Sequence, residues 1–429
     1  MSRSATVLRL SLAALAVTTA PATAVAQGNV LPTPVIAVDS ADPVSVLVSR
    51  LDLARYKATI KGLTNFGDRR QGTKRNRDAV DWIEAQLRSY GCTNVERLTY
   101  EYNPPAPTPR PAGAMAGAMA GAMAGAAAGG AGQQRPAGPP VSAGGGRARG
   151  VRTRTGVNSD SLRQPDARLR ALNAEPSVPG ERQEVYCTKV GSTRPDEMYI
   201  IGGHMDGIGW GEAANDDASG SAIVMELARI FSDPAVQTDR SIRFVLWNNE
   251  ETGLNGARAY VEQRAKLQGI EEPKGSGKFP EPKWLGMIQH DMMMFDHGMP
   301  NADGTMRKEQ RPEADVNIEF QSSSKMAKQS AELAWFLHGA NAKYATDYPA
   351  QVGPHMTNTD SGPFQDLIAA ISLRENERGT QVGSGWDPHW HQPTDLFSTF
   401  GDADFKLGLN AAQTTLAGVA KLVNAVLRK

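Results

Sequence analysis

From Glu184 to its end the chain alternates short apolar runs with helical patterns, and that succession restricts its fold more than any other feature. The runs Glu184–Lys189, Met198–Ile201, Ser241–Asn248, Leu285–His290 and Leu367–Leu373 predict strands. Helices are predicted over Ser219–Phe231, Leu254–Leu267, Ser322–His338 and Phe405–Leu427. The last of these has Phe405, Leu409, Leu416, Val419, Leu422, Val423 and Val426 along one side. Strands separated by helices imply an α/β fold, with a mixed, mostly parallel central sheet and helices on both faces in three layers. Upstream, Leu51–Leu63 and Asn76–Tyr90 have helical spacing, and Asn94–Tyr102 reads as a further strand.

The flanks and the middle depart from this pattern. Residues 1–26 read as a secretory signal: Arg3 and Arg9, the apolar run LRLSLAALAVTTA, and a small-residue cleavage site at Ala24–Ala26. That run is short for a spanning helix, so export to a periplasm or beyond is expected, with no membrane span in the mature chain. Residues 27–50 are expected to form an extended arm, and 51–429 a single domain. A low-complexity insertion at about 103–180, containing GAMAGAMAGAMAGAAAGG, interrupts that domain and reads as a flexible loop. Lys plus Arg and Asp plus Glu both number 46, which argues against bulk attraction to nucleic acid or a membrane surface. Cys92 and Cys187 each lie beside a predicted strand and are expected to bridge in an oxidising compartment.

The chemistry gathers at strand ends. Ile201–Gly220 reads IGGHMDGIGWGEAANDDASG, with His204, Asp206, Asp216 and Asp217 between a strand and a helix. Two glycines there are expected to let the backbone turn, and one Asp to cap the helix. A His-x-Asp plus an Asp pair exceeds what capping requires and suits Zn²⁺. Glu250 and Glu251 follow the strand IRFVLW, where one can hold a metal while the other acts as base. Asp291 follows LGMIQH, with His290 facing away and Met292–Met294 expected in the core or along an apolar pocket. Near the end, His389 and His391 lie in a loop; one suffices as a ligand, with Asp395 or Asp360 holding its second nitrogen.

In order the chain therefore carries H-x-D, A-x-N-D-D-x-S-G, E-E-x-G-L-x-G, D-M after a strand, and W-H-Q-x-x-D. This set resembles the di-zinc exopeptidase family of bacterial leucyl aminopeptidases, aminopeptidase Y and the glutamate carboxypeptidases. The resemblance spans roughly residues 50–102 and 184–428 and implies a zinc-exopeptidase-like fold acting on peptide substrates. It implies two zinc ions per chain: one on His204 and Asp291, the other on Glu251 and His391, with Asp216 bridging. Glu250 would be the base, Asp206 would orient His204, and a cis peptide would join Asp216 to Asp217. The chain departs from the family at TDSGPF, where Ser361 replaces a customary His. An aminopeptidase is the expected activity; a carboxypeptidase, a glutaminyl-cyclase-like relative or a non-catalytic interaction ectodomain are the alternatives.

Overall fold

The computed structural model describes residues 38–104, 157–296, 316–354, 358–375 and 387–428. The leader and the Gly-Ala-Met repeat lie outside these residues. Strand β5 (Arg240–Trp247) shows how the sheet is built. Ile242, Phe244 and Leu246 enter one apolar cluster, while Val245 and Trp247 enter another. Period-two alternation with apolar residues on both sides requires cover on both faces.

The eight-stranded sheet runs β1 (Val95–Tyr102), β2 (Gly180–Lys189), β5, β3 (Arg194–His204), β6 (Lys283–His290), β9 (Ala369–Arg374), β7 (Val316–Phe320), β8 (Ala350–Gly353). Pairing is parallel for β5–β3, β3–β6, β6–β9 and β7–β8, and antiparallel for the rest. The mixed, mostly parallel sheet is therefore present. Its four central parallel strands end at the same edge, where open α/β sheets place their sites. A separate two-stranded ribbon joins β4 (Val236–Gln237) to β10 (Val426–Leu427).

One face packs against α1 (Pro43–Val48), α2 (Leu53–Thr64), α3 (Lys74–Ser89), α5 (Ala218–Phe231), α7 (Ala327–Tyr344) and α8 (Asp402–Leu422). The other packs against α6 (Asn255–Arg264), through Ala257 and Tyr260. Among the described residues no helix is long and apolar enough to cross a membrane. Cys92 and Cys187 are disulfide-bonded, with Cα atoms 6.3 Å apart. The β1–β2 register brings them together, since Val95 lies opposite Cys187.

Four expectations change. The expected extended arm contains α1: the Asp42 side chain caps it at Val44 N–H (3.0 Å), Pro43 supplies a fixed φ, and Val44, Leu47 and Val48 are buried. The insertion does not run to 180. Residues 157–180 are described and include α4 (Ala167–Asn173), capped by Asp166. The terminal helix stops at Leu422, because Asn424 takes a left-handed φ of 51° and turns the chain into β10. Finally, Gly202 and Gly203 do not turn the chain; β3 continues through both to His204. They are glycines because of close packing. A Cβ on Gly202 would meet the Trp247 indole at 2.2 Å, and one on Gly203 the Gly220 backbone at 2.8 Å.

Candidate metal centre

Three adjacent parallel strands deliver the chemistry. β3 ends in His204, β5 runs out to Glu250 and Glu251, and β6 runs out to Asp291. The β3–α5 loop brings Asp216, and the loop ahead of α8 brings His391. His204 Nε2 lies 3.1 Å from Asp216 Oδ1 and 3.8 Å from Asp291 Oδ1. His391 Nε2 lies 3.0 Å from Asp216 Oδ2 and 2.8 Å from Glu251 Oε2. Asp216 thus presents one oxygen to each imidazole. Among the described residues, ligand atoms of His204, Asp216 and Glu251 all fall within 4.8 Å of one another.

Asp216 and Asp217 divide the work of the pair, across a cis peptide bond. Asp217 is the helix cap: it accepts Gly220 N–H (2.8 Å), and also His204 N–H (3.0 Å) and Met292 N–H (3.2 Å). It therefore locks the ends of β3 and β6 to the start of α5, leaving Asp216 facing the histidines. Asp395 accepts the N–H groups of Asn215 (2.8 Å) and Asp216 (3.1 Å). Asp360 is met by Gln289 Nε2 at 3.3 Å. Contrary to expectation, neither acid holds the second nitrogen of His391, which pairs with none of the described residues. Asp206 meets both His204 and Glu250. Its backbone carbonyl lies 3.0 Å from His204 Nδ1, while its carboxylate accepts Glu250 N–H (3.0 Å).

His389 points away, with Nδ1 2.8 Å from Thr394 Oγ1 and its ring edge-on to Phe295 and Phe400. His290 is buried against Gly202 and Thr415, and Met292–Met294 lie in the core. Ser361 pairs with Ser372 at 2.7 Å. Two arginines escaped sequence reasoning. Arg374, at the end of β9, contacts Asp291 at 2.5 Å. A charge at the carboxyl end of an apolar strand was its signal, the same one that marked Asp291. Arg69 is fully buried and donates to the carbonyls of Met205 (2.7 Å), Glu212 (2.8 Å) and Ala213 (2.8 Å). It spans the loop between His204 and Asp216 from a turn with no periodic pattern to mark it.

The electrostatics fit a cation. Burial raises the carboxyls of Glu250 and Glu251, the latter to about 7, and neighbouring acids add to this. Burial would raise Asp291 too, but Arg374 and His204 outweigh it and hold it below the usual carboxylate range. Burial would lower His391, yet Glu251 and Asp216 push it up to about 10. Imidazoles pressed on buried carboxylates in this way mark a spot where positive charge is wanted. Two donors about 2 Å from one tetrahedral zinc lie about 3.3 Å apart, close to the observed spacings, and His plus carboxylate is a zinc donor set.

The family model described as Peptidase family M28 matches residues 184–406. The chain belongs to this family. The M28 chain is 38% identical over 77 residues to carboxypeptidase Q of Xenopus laevis, covering 18% of this chain and 16% of that one. It is 26% identical over 244 residues to a probable lipoprotein aminopeptidase LpqL of Mycobacterium tuberculosis, covering 55% of this chain and 44% of the relative. The match thus spans less than half the length of these curated relatives. Among solved structures, an aminopeptidase from Aneurinibacillus sp. strain AM-1 is similar with a TM-score of 0.53 at 19% identity, covering 88% of this chain and 95% of that one. A Porphyromonas gingivalis glutaminyl cyclase is similar with a TM-score of 0.52 at 14% identity, covering 87% and 99%. At these identities the likeness to the solved structures is one of fold.

Proposed function

We propose that this M28 chain is an exported di-zinc exopeptidase that releases N-terminal residues from peptides. The observation that carries the reading is Asp216, with Oδ1 3.1 Å from one imidazole and Oδ2 3.0 Å from the other. A carboxylate so placed suits a bridge between two cations. His204 and Asp291 would hold one zinc, and His391 and Glu251 the other. Zinc bound there supplies Lewis-acid polarisation of a carbonyl and lowers the pKa of water to about 7.

The chain's own groups do the rest. Glu250 precedes Glu251 just beyond the end of β5 and is not among the proposed ligands, so it is left free to take a proton from the attacking water and return it to the leaving amine. Two nearby cations would draw its raised pKa back down toward a working range. Asp206 holds His204 through its carbonyl and fixes Glu250 through that residue's N–H. Arg374 keeps Asp291 ionised. With all five donors and the base present, a non-catalytic ectodomain is disfavoured. Residues 1–26 and the Cys92–Cys187 disulfide support export, since disulfides persist in oxidising compartments.

The direction of cleavage is tested with one short peptide in three forms: free, N-acetylated and C-amidated. Hydrolysis of the amide but not the acetylated form is expected. The reverse pattern would identify a carboxypeptidase, and cyclisation of an N-terminal glutamine without hydrolysis a cyclase-like relative.

A further inference from the structure

The segment from Val157 to Asn173 has no part in the roles above, yet three of its polar side chains, Asn158, Gln164 and Asn173, are buried. Asn158 is 6% exposed and Gln164 fully buried. Their hydrogen bonds go chiefly to two loops of the metal centre. Asn158 N–H donates to the carbonyl of His391 (3.0 Å), and its Nδ2 to the carbonyls of Gly209 (3.3 Å) and Asp160 (3.0 Å). Gln164 Nε2 donates to the carbonyls of both Trp210 (2.8 Å) and Pro393 (2.9 Å). Asn173 Nδ2 donates to Gly211 (2.8 Å). Gly209–Gly211 belong to the connection between His204 and Asp216, whereas His391 and Pro393 belong to the loop that brings the last ligand. The two loops touch: a Cβ on Gly209 would fall 2.4 Å from the His391 carbonyl carbon.

His391 depends on such a hold more than His204 does. A metal-binding imidazole is usually fixed through its second ring nitrogen. His204 has the Asp206 carbonyl for this purpose. Among the described residues nothing pairs with His391 Nδ1, and the ring stacks on Trp390 with centroids 4.1 Å apart. His391 also takes a φ of 54°, a left-handed conformation that a non-glycine residue leaves readily unless its surroundings enforce it.

We propose that Asn158 and Gln164 are positioning residues that clamp the His391 loop onto the Gly209–Gly211 loop, and thereby set the affinity of the zinc site formed by His391 and Glu251. The proposal rests on the di-zinc reading above. Gln164→Met keeps the side-chain volume and removes both donated bonds. Zinc affinities of the full chain are measured by competition with a chromophoric chelator, alongside the Tm of the metal-free protein. One of the two zinc ions should bind about 10- to 100-fold more weakly, with the other unchanged and the metal-free Tm within a few degrees of wild type.

Two wild-type affinities in the variant would overturn the proposal, as would an equal weakening of both ions in step with a fallen Tm. If Gln164→Met does not fold, Asn158→Ala is judged by the same outcomes, and failure of both to fold assigns the segment to folding instead. Wild-type protein taking up fewer than two zinc ions would refute the di-zinc reading itself. Two ions in wild type with an unaltered variant would refute only the clamp.

Discussion

Glu250→Gln is expected to lower kcat about 10²- to 10⁴-fold, the usual share of a general acid–base group, while the protein keeps its zinc. Gln preserves the shape of the side chain but cannot accept and return a proton. Glu250 lies next to Glu251 yet is not drawn onto His391, so removing its charge leaves the ligand contacts of His391 with Asp216 and Glu251 in place. KM should change little, because the lost interaction belongs to the transition state. Steady-state kinetics with a metal assay on the same sample separate the outcomes. Loss of activity together with loss of zinc would make Glu250 a ligand, and full activity would remove it from the chemistry.

Gly203→Ala is expected to destabilise the fold by about 3 kcal/mol or to prevent its assembly, the upper range for overpacking a filled interior. Its Cβ would lie 2.8 Å from the Gly220 carbonyl carbon and 2.9 Å from Ser221 N, and backbone cannot rotate aside as a side chain can. Any relief must move α5 away from β3, which also shifts Asp216 and Asp217 at the helix start. Zinc affinity should fall with stability for that reason. Gly339→Ala, within α7 with open space around its Cβ, is the control. It should leave the urea midpoint unchanged or raise it, since alanine favours helix over glycine. Equal midpoints for wild type and Gly203→Ala would show that β3 and α5 are not held as closely as described.

The parts of this molecule that follow local rules were readable in advance. Period-two runs marked the central strands, and acids or imidazoles at their carboxyl ends marked His204, Glu250, Glu251 and Asp291. The chemistry of the DD pair was also legible as one cap and one remaining acid, though which acid was which came only from the resemblance. What escaped depends on contacts distant in sequence. Strands β7 and β8 are short and lie outside the central parallel set, so periodicity marks them weakly. The glycines of β3 looked like a turn because their close neighbours, Trp247, Gln289 and Gly220, are far away in the chain. Arg69 acts on carbonyls about 140 residues downstream, such as that of Ala213 at a separation of 144. The segment after Val157, with its helix α4, was hidden by the low-complexity composition beside it. Beside that composition the segment reads as flexible loop, but the buried amides of Asn158, Gln164 and Asn173 secure it.

In the proposed centre, His204, Asp216, Glu251, Asp291 and His391 form one pocket for a pair of zinc ions. Elemental analysis of the purified chain after exhaustive dialysis against metal-free buffer tests it most directly. Two zinc ions per chain, lost to a strong chelator together with peptide hydrolysis and restored on adding zinc back, is the predicted result. Metal-free protein that hydrolyses peptides at the full rate would contradict it.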